Sequence, residues 1–136
     1  MAVGRRDDGT AQRLIIRLPL PLMPSANSRT HWRVRHKASR CDRNVAATLA
    51  AAEMRKCASW QPFQQATVFV EWHGRGRLPD VDNIGGRTKA YIDGLTDANV
   101  WRDDACVQSI QFTTHRISKG QQPYILLKVH DVHVQA

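Results

Sequence analysis

"ATVFVEWHGRGRLPDVDNIGGRTKAYIDGLTDANVWRDDACVQSIQFTTH", residues 66–115, sets one helical period between two alternating ones. Ala66, Val68, Val70 and Trp72 alternate with Thr67, Phe69, Glu71 and His73, which predicts a strand with one buried face running to about His73. "GRGRLPDVDN" then reads as a basic, Gly-rich loop. Ile84, Tyr91, Ile92 and Leu95 recur at helical spacing and predict a helix from about Arg87 to Ala98, in which Gly94 costs about 1 kcal/mol relative to alanine. "NVWRDDA" turns the chain, and alternation resumes from Cys106 to His115 with Ile110 and Phe112 on one face.

Upstream of this stretch, Leu14, Ile15, Ile16 and Leu18 make a short strand stopped by Pro19, Pro21 and Pro24. Residues 37–58 carry Cys41, Val45, Leu49 and Ala52 at spacings of three and four with no Gly or Pro, predicting an amphipathic helix whose opposite face holds the charges. Downstream, Tyr124 to Val132 alternates with Ile125, Leu127 and Val129 on one face, and "SKGQQP" before it reads as a hairpin connection. The β-α-β-α-β-β order places the chain in the α/β (α+β) class, with a mixed sheet packed by helices. Residues 13–136 are expected to form one small domain, and the polar, Gly-containing residues 1–12 a flexible tail.

A chain of 136 residues that is 42% hydrophobic has enough apolar surface for one core. No apolar run reaches the roughly 18 to 20 residues of a membrane helix, and "MAVGRRDDGT" lacks the apolar segment of a secretory signal. A cytoplasmic protein with no membrane partner is expected. Cys41, Cys57 and Cys106 are odd in number and far apart, which predicts small buried apolar residues rather than a disulfide framework or a zinc site. The histidines, His31, His36, His73, His115, His130 and His133, show no paired spacing for zinc, and His130 and His133 are expected on the surface.

Twenty Lys and Arg against twelve Asp and Glu leave a formal charge of +8. Between Arg29 and Arg43 stand Arg29, Arg33, Arg35, Lys37, Arg40 and Arg43 with one acid, Asp42. Such a stretch can neutralise phosphates and release their counterions, or can be a solvated helix face. Asn27, Ser28, His31 and Trp32 are types that hydrogen-bond phosphate or stack on bases, although Trp32 equally suits a core anchor.

Asp80 and Asp82 follow Pro79 on a stretch expected to be extended, where residues i and i+2 point the same way and two carboxylates can face one cation. Mg²⁺ accepts one or two carboxylates together with water and substrate phosphates. Ten Asp in this chain would give roughly 0.7 such D-x-D pairs by chance, so the pair requires corroboration. Asp103 and Asp104, in the turn after the second helix, offer a third carboxylate.

"PDVDNIGGRTKAYIDGLTDANVWRDDACVQSIQF" resembles the core motif of the RusA family of Holliday junction endonucleases, and "LPLPLMPSANSRTHW" resembles that family's proline-rich strand and following loop. The resemblance spans roughly residues 14–130. It implies a homodimer, bacterial or carried by a phage or prophage, that resolves four-way DNA junctions in recombination and repair by Mg²⁺-dependent phosphodiester hydrolysis, with Mn²⁺ as an alternative ion. By the same resemblance, Asp80, Asp82 and Asp104 match the metal-binding carboxylates, with Asp103 as the neighbouring candidate. Lys89 matches the functional lysine, although "GGRT" sets it seven residues beyond Asp82, and Arg87 is the alternative occupant. A surface ion pair of Lys89 with Asp93 is the plain alternative. Asn27, Arg29, Trp32, Arg33, Arg35, Lys37, Arg75, Arg77 and Arg87 are the expected DNA-binding residues. A different class, a non-catalytic branched-DNA-binding module, predicts salt-dependent junction binding without cutting.

Overall fold

The alternation of residues 66–73 becomes the inner strand of a mixed sheet in the computed structural model, which describes residues 2–3, 12–26 and 28–132. The described elements are β1 (Ala2–Val3), β2 (Arg13–Leu18), α1 (Trp32–Met54), β3 (Ala66–Gly74), α2 (Val81–Asp97), β4 (Val107–Arg116) and β5 (Tyr124–Asp131). Five strands lie in the order β1-β2-β5-β3-β4. Ala2 and Val3 pair with Leu14 and Arg13, so the stretch expected to be a tail contributes a short edge strand.

The predicted hairpin is not formed. β4 pairs in parallel with β3, whereas β5 runs antiparallel to both β2 and β3 and lies between them. β3-α2-β4 is therefore a crossover unit, because parallel neighbours need a connection long enough to carry the chain back along the sheet. The chain then passes over β3 before entering β5. That insertion gives β3 and β5 hydrogen-bonded neighbours on both sides, and it explains why Val68, Val70, Ile125, Leu127 and Val129 are fully buried.

Alternation divides the sheet into two faces. Leu14, Ile16, Leu18, Val68, Val70, Trp72, Ile125, Leu127 and Val129 join Ala46, Ala50, Ile84, Tyr91 and Leu95 of the two helices in one core. Strand register puts Thr67, Phe69, Glu71 and His73 on the other face, beside Ser109, Gln111, Thr113 and His115 of β4. No described helix covers that face. Among the described residues, no helix is long and apolar enough to cross a membrane.

Both helices begin earlier than their apolar spacing predicts. α1 starts at Trp32, with the His31 imidazole accepting from the Arg33 N–H at 3.1 Å, so the basic stretch is itself helical. Its buried residues are Ala38, Asp42, Ala46 and Ala50 rather than the stripe of Cys41, Val45, Leu49 and Ala52. Close approach to α2 is the reason: a Cβ on Gly94 would meet the Arg43 carbonyl and come 2.9 Å from the Ala46 Cβ. Only small side chains fit that crossing. α2 starts at Val81, with the Ile84 N–H bonded to the Asp80 carbonyl at 3.0 Å, and ends at Asp97, two residues before Asn99 turns the chain in the left-handed region (φ 63°). Cys41, Cys57 and Cys106 are free and half-buried rather than fully buried.

Gly94→Ala should destabilise the fold by about 1 to 3 kcal/mol in urea unfolding, despite the gain in helix propensity, because the added methyl meets backbone. A gain in stability would contradict the close crossing. A second expectation concerns pH. Burial first, and then the charges of Arg13 and Lys128, hold the His130 imidazole below its ordinary value of 6.5. The unfolded chain therefore binds a proton that the folded chain refuses, and stability should decline as pH falls below 6.5. His130→Gln should flatten that slope between about pH 5 and 6.5. An unaltered slope would locate the titration in another group.

Candidate functional site

The acidic motif lies at the N-terminal end of α2. Asp80 is the N-cap residue, in extended backbone (φ −66°, ψ 153°), and Asp82 is in the first helical turn. The extended i, i+2 arrangement read from the sequence is thus interrupted by the start of a helix between the two acids. The two carboxylates are exposed and have no hydrogen-bond or ion-pair partner among the described residues.

Asn83, which the sequence reading passed over, does the anchoring. Its Oδ1 accepts from the Ser25 hydroxyl and the Ala26 N–H, both at 3.2 Å. The whole proline-rich connection is fastened in similar ways. The buried Asp42 carboxylate accepts from the N–H groups of Leu22 and Met23 at 2.9 and 3.0 Å, Arg87 Nε donates to the Met23 carbonyl at 2.9 Å, and the Tyr91 hydroxyl donates to the Pro19 carbonyl at 2.7 Å. Burial, with Asp42 adding to it, pushes the Tyr91 hydroxyl well above the ordinary tyrosine range. Residues 19–26 therefore bring the start of α1 beside the acidic end of α2.

That end is also strongly basic. Arg29, Trp32, Arg33 and Lys37 are exposed, and Trp32 is 66% exposed with the Arg33 guanidinium 5.4 Å from its ring, so Trp32 is not a core anchor. Arg35 differs from its neighbours, since its guanidinium donates to the Ser25 and Ser28 carbonyls at 2.7 and 2.9 Å and holds the loop. Asn27 lies outside the described residues. Arg75, Arg77 and Arg87 converge around an open cleft of about 480 Å³ that has Trp72 and Leu78 in its wall and Pro79 at its edge. Gly76 turns the loop between the first two arginines in the left-handed region (φ 66°), and Arg87 lies 4.7 Å from the Trp72 ring centre. Desolvation lowers the Arg87 pKa, against the opposing charge of Asp42, yet a guanidinium in this setting stays charged.

Asp104 is elsewhere. It accepts from the Thr96 hydroxyl at 2.7 Å, and that hydroxyl accepts from Trp101 Nε1 at 2.7 Å, near the C-terminal end of α2. Fourteen residues of helix separate Asp82 from Thr96, about 21 Å at 1.5 Å per residue. Asp80, Asp82 and Asp104 of one chain therefore do not converge on a single ion, because the crossover helix stands between them. Asp103 accepts from the Ala105 N–H and caps a short 3₁₀ turn. Lys89 is paired with Asp93 at 3.1 Å, 74% exposed, about 10 Å along the helix from Asp82 but on nearly the same side of it. A Mg²⁺ site drawn from one chain has only the two carboxylates at the helix start. Among the described residues, the one group of three potential ligands that does come together is Glu71, His73 and His115, on the opposite face of the sheet.

No family model matches the chain, and no curated protein matches it either. Among solved structures it is similar to a chain of the HypE–HypF complex, at 9% identity and a TM-score of 0.39 over 92% of this chain. It spans about a third (34%) of the length of that neighbour.

Asn83→Ala should release the Ser25–Ala26 connection without disturbing the core, since Asn83 is half-buried and its bonds run to the loop. Hydrogen exchange at Ala26 should accelerate while that of β3 stays constant. Equal protection of Ala26 in both proteins would remove the anchoring role.

Proposed function

We propose that the protein is a homodimeric, metal-dependent endodeoxyribonuclease that resolves four-way DNA junctions. The support is the order of the acidic, lysine-bearing and second acidic motifs in the sequence, together with one geometric observation. Asp82 and Lys89 share one exposed side of α2, and Asp104 stands at the far end of the same helix. Two copies of α2 opposed antiparallel about a two-fold axis would bring Asp80 and Asp82 of one protomer to Asp104 of the other. A dimer is then a requirement for catalysis, with two equivalent sites.

In this reading Asp80, Asp82 and the opposing protomer's copy of Asp104 would hold Mg²⁺, which when bound supplies Lewis acidity toward a phosphate and acidifies a coordinated water. The chain's own contribution is position and charge. Arg75, Arg77 and Arg87 offer a cleft for a backbone phosphate directly beside Asp80, while Arg29, Arg33 and Lys37 extend the cationic surface along α1. The exposed Trp32 offers a stacking face for an unpaired base at a branch. Lys89 lies along the helix between the two acidic ends, where it can leave Asp93 to meet developing negative charge. A second reading, a branched-DNA-binding module without catalysis, is favoured by the separation of the acids within one chain.

Complementation separates these readings. Asp82→Asn and Asp104→Asn should each abolish Mg²⁺-dependent nicking of a synthetic four-way junction while leaving junction binding within about threefold. Mixing the two inactive proteins in equal amounts should restore about a quarter of wild-type nicking, because half of the dimers then contain one intact site. Absence of recovery, with active wild type, would place the ligands in one chain. Binding without any cutting by the wild type would leave the non-catalytic module.

A further inference from the structure

The face of the sheet away from the helices carries a cluster that the acidic motif does not explain. Glu71 and His73 are two residues apart on β3 and so project from the same face, and the parallel register sets His115 of β4 directly beside His73. Glu71 Oε1 lies 2.9 Å from His73 Nε2 and 3.9 Å from His115 Nε2. All three ligand atoms fall within 4.8 Å of one another. A tetrahedral ion with bonds of about 2.0 to 2.1 Å holds its ligands about 3.3 Å apart. The two printed separations bracket that value, and the site would close if small side-chain shifts were joined by a tilt of the two imidazoles out of their stack, so that both ring nitrogens face one ion.

The surroundings hold these three groups close together. His73 is sandwiched between the rings of His115, at 4.5 Å and 12°, and Tyr124, at 4.4 Å and 7°. The Arg17 guanidinium caps the Tyr124 ring at 3.8 Å, completing a row across β2, β5, β3 and β4. Lys128 Nζ holds the other carboxylate oxygen of Glu71 at 2.8 Å, which orients Oε1 toward the imidazoles. Burial would raise the Glu71 carboxyl, but the hydrogen bonds from Lys128 and His73 and the charges of Lys128 and His115 outweigh it and hold it below the ordinary glutamate value. The carboxylate is therefore ionised at neutral pH. Thr113, next to Glu71 in the register, bonds His115 Nε2 at 2.8 Å and would yield that position to an ion. His115 is 43% exposed, so an ion has a way in and water can occupy a fourth position.

We propose that Glu71, His73 and His115 form a binding site for a divalent transition metal of the zinc class on the open face of the sheet. Two imidazoles and one carboxylate suit Zn²⁺ or Co²⁺ and are poor ligands for Mg²⁺, so the site is chemically separate from the acidic end of α2. The ion would tie the exposed edge strand β4 to β3. Those strands flank α2, and the tie would brace the unit that carries both acidic motifs. The proposal stands whether or not the chain cuts DNA.

The test uses the untagged full chain, stripped of metal by a chelator and titrated with Co²⁺. One equivalent should give a saturable visible ligand-field absorption that Zn²⁺ displaces and excess Mg²⁺ does not. His115→Ala, at an exposed position, and Glu71→Gln should each weaken Co²⁺ binding about tenfold or more, with circular dichroism unchanged for His115→Ala. Zn²⁺ should raise the melting temperature of the wild type and not that of His115→Ala. No saturable absorption in the wild type would overturn the site. So would equal Co²⁺ affinity in the wild type and both variants, which would assign the metal to other histidines or to the cysteines.

Discussion

Parallel pairing of β3 with β4 is the constraint on which the rest of the molecule depends. Two parallel neighbours oblige the chain to travel the length of the sheet between them, and α2 makes that journey. The loop entering the helix and the turn leaving it are consequently at opposite ends of the domain. Asp80 and Asp82 belong to the first, Asp103 and Asp104 to the second. Nearness in sequence has no bearing on this separation, because a helix of 17 residues is about 25 Å long.

At the entering end, polar contacts assemble what the backbone alone would leave apart. The proline-rich connection after β2 has few backbone partners of its own, and side chains of α1 and α2 replace them: Asp42 receives two of its N–H groups, while Asn83, Arg87 and Tyr91 secure its flanks. Buried donors without partners are costly, which is why a carboxylate as deeply buried as Asp42 is tolerated among alanines. The close crossing of the helices at Gly94 and Ala46 completes the arrangement. The outcome is a cationic surface and two free carboxylates at one end of the domain, next to a cleft lined by three arginines.

The opposite face of the sheet obeys the same alternation with a different result. Its polar residues face away from the core, yet Glu71, His73, Tyr124 and Lys128 are only partly exposed because they pack across the strands on one another. Stacking and ion pairing there replace apolar burial as the local source of order. The edge strand β4 has most of its residues exposed, so its attachment relies on β3 and on contacts of this kind.

Much of the architecture was legible in the sequence. Period-2 and period-3.6 patterns are local properties, and they marked the strands near residues 14–18, 66–73, 106–115 and 124–132 and the two helices between them. Helix starts are not legible in apolar spacing because capping and neighbouring contacts decide them: His31 caps α1, and the bond from Ile84 to Asp80 opens α2 before the glycine pair. The buried stripe of α1 was displaced by one position because the alanine face fits Gly94 and the larger face does not. Basic and acidic residues were identifiable by type, but their meeting places were not. By itself the sequence determined which segments alternate, which coil and which residues carry charge, because each of those depends on neighbours a few positions away. Only the tertiary structure decided that β5 would enter between β2 and β3, that Asp104 would stand a helix length from Asp82, and that His73 and His115 would lie ring against ring. Those outcomes depend on which strands become neighbours, a choice made by the whole core at once.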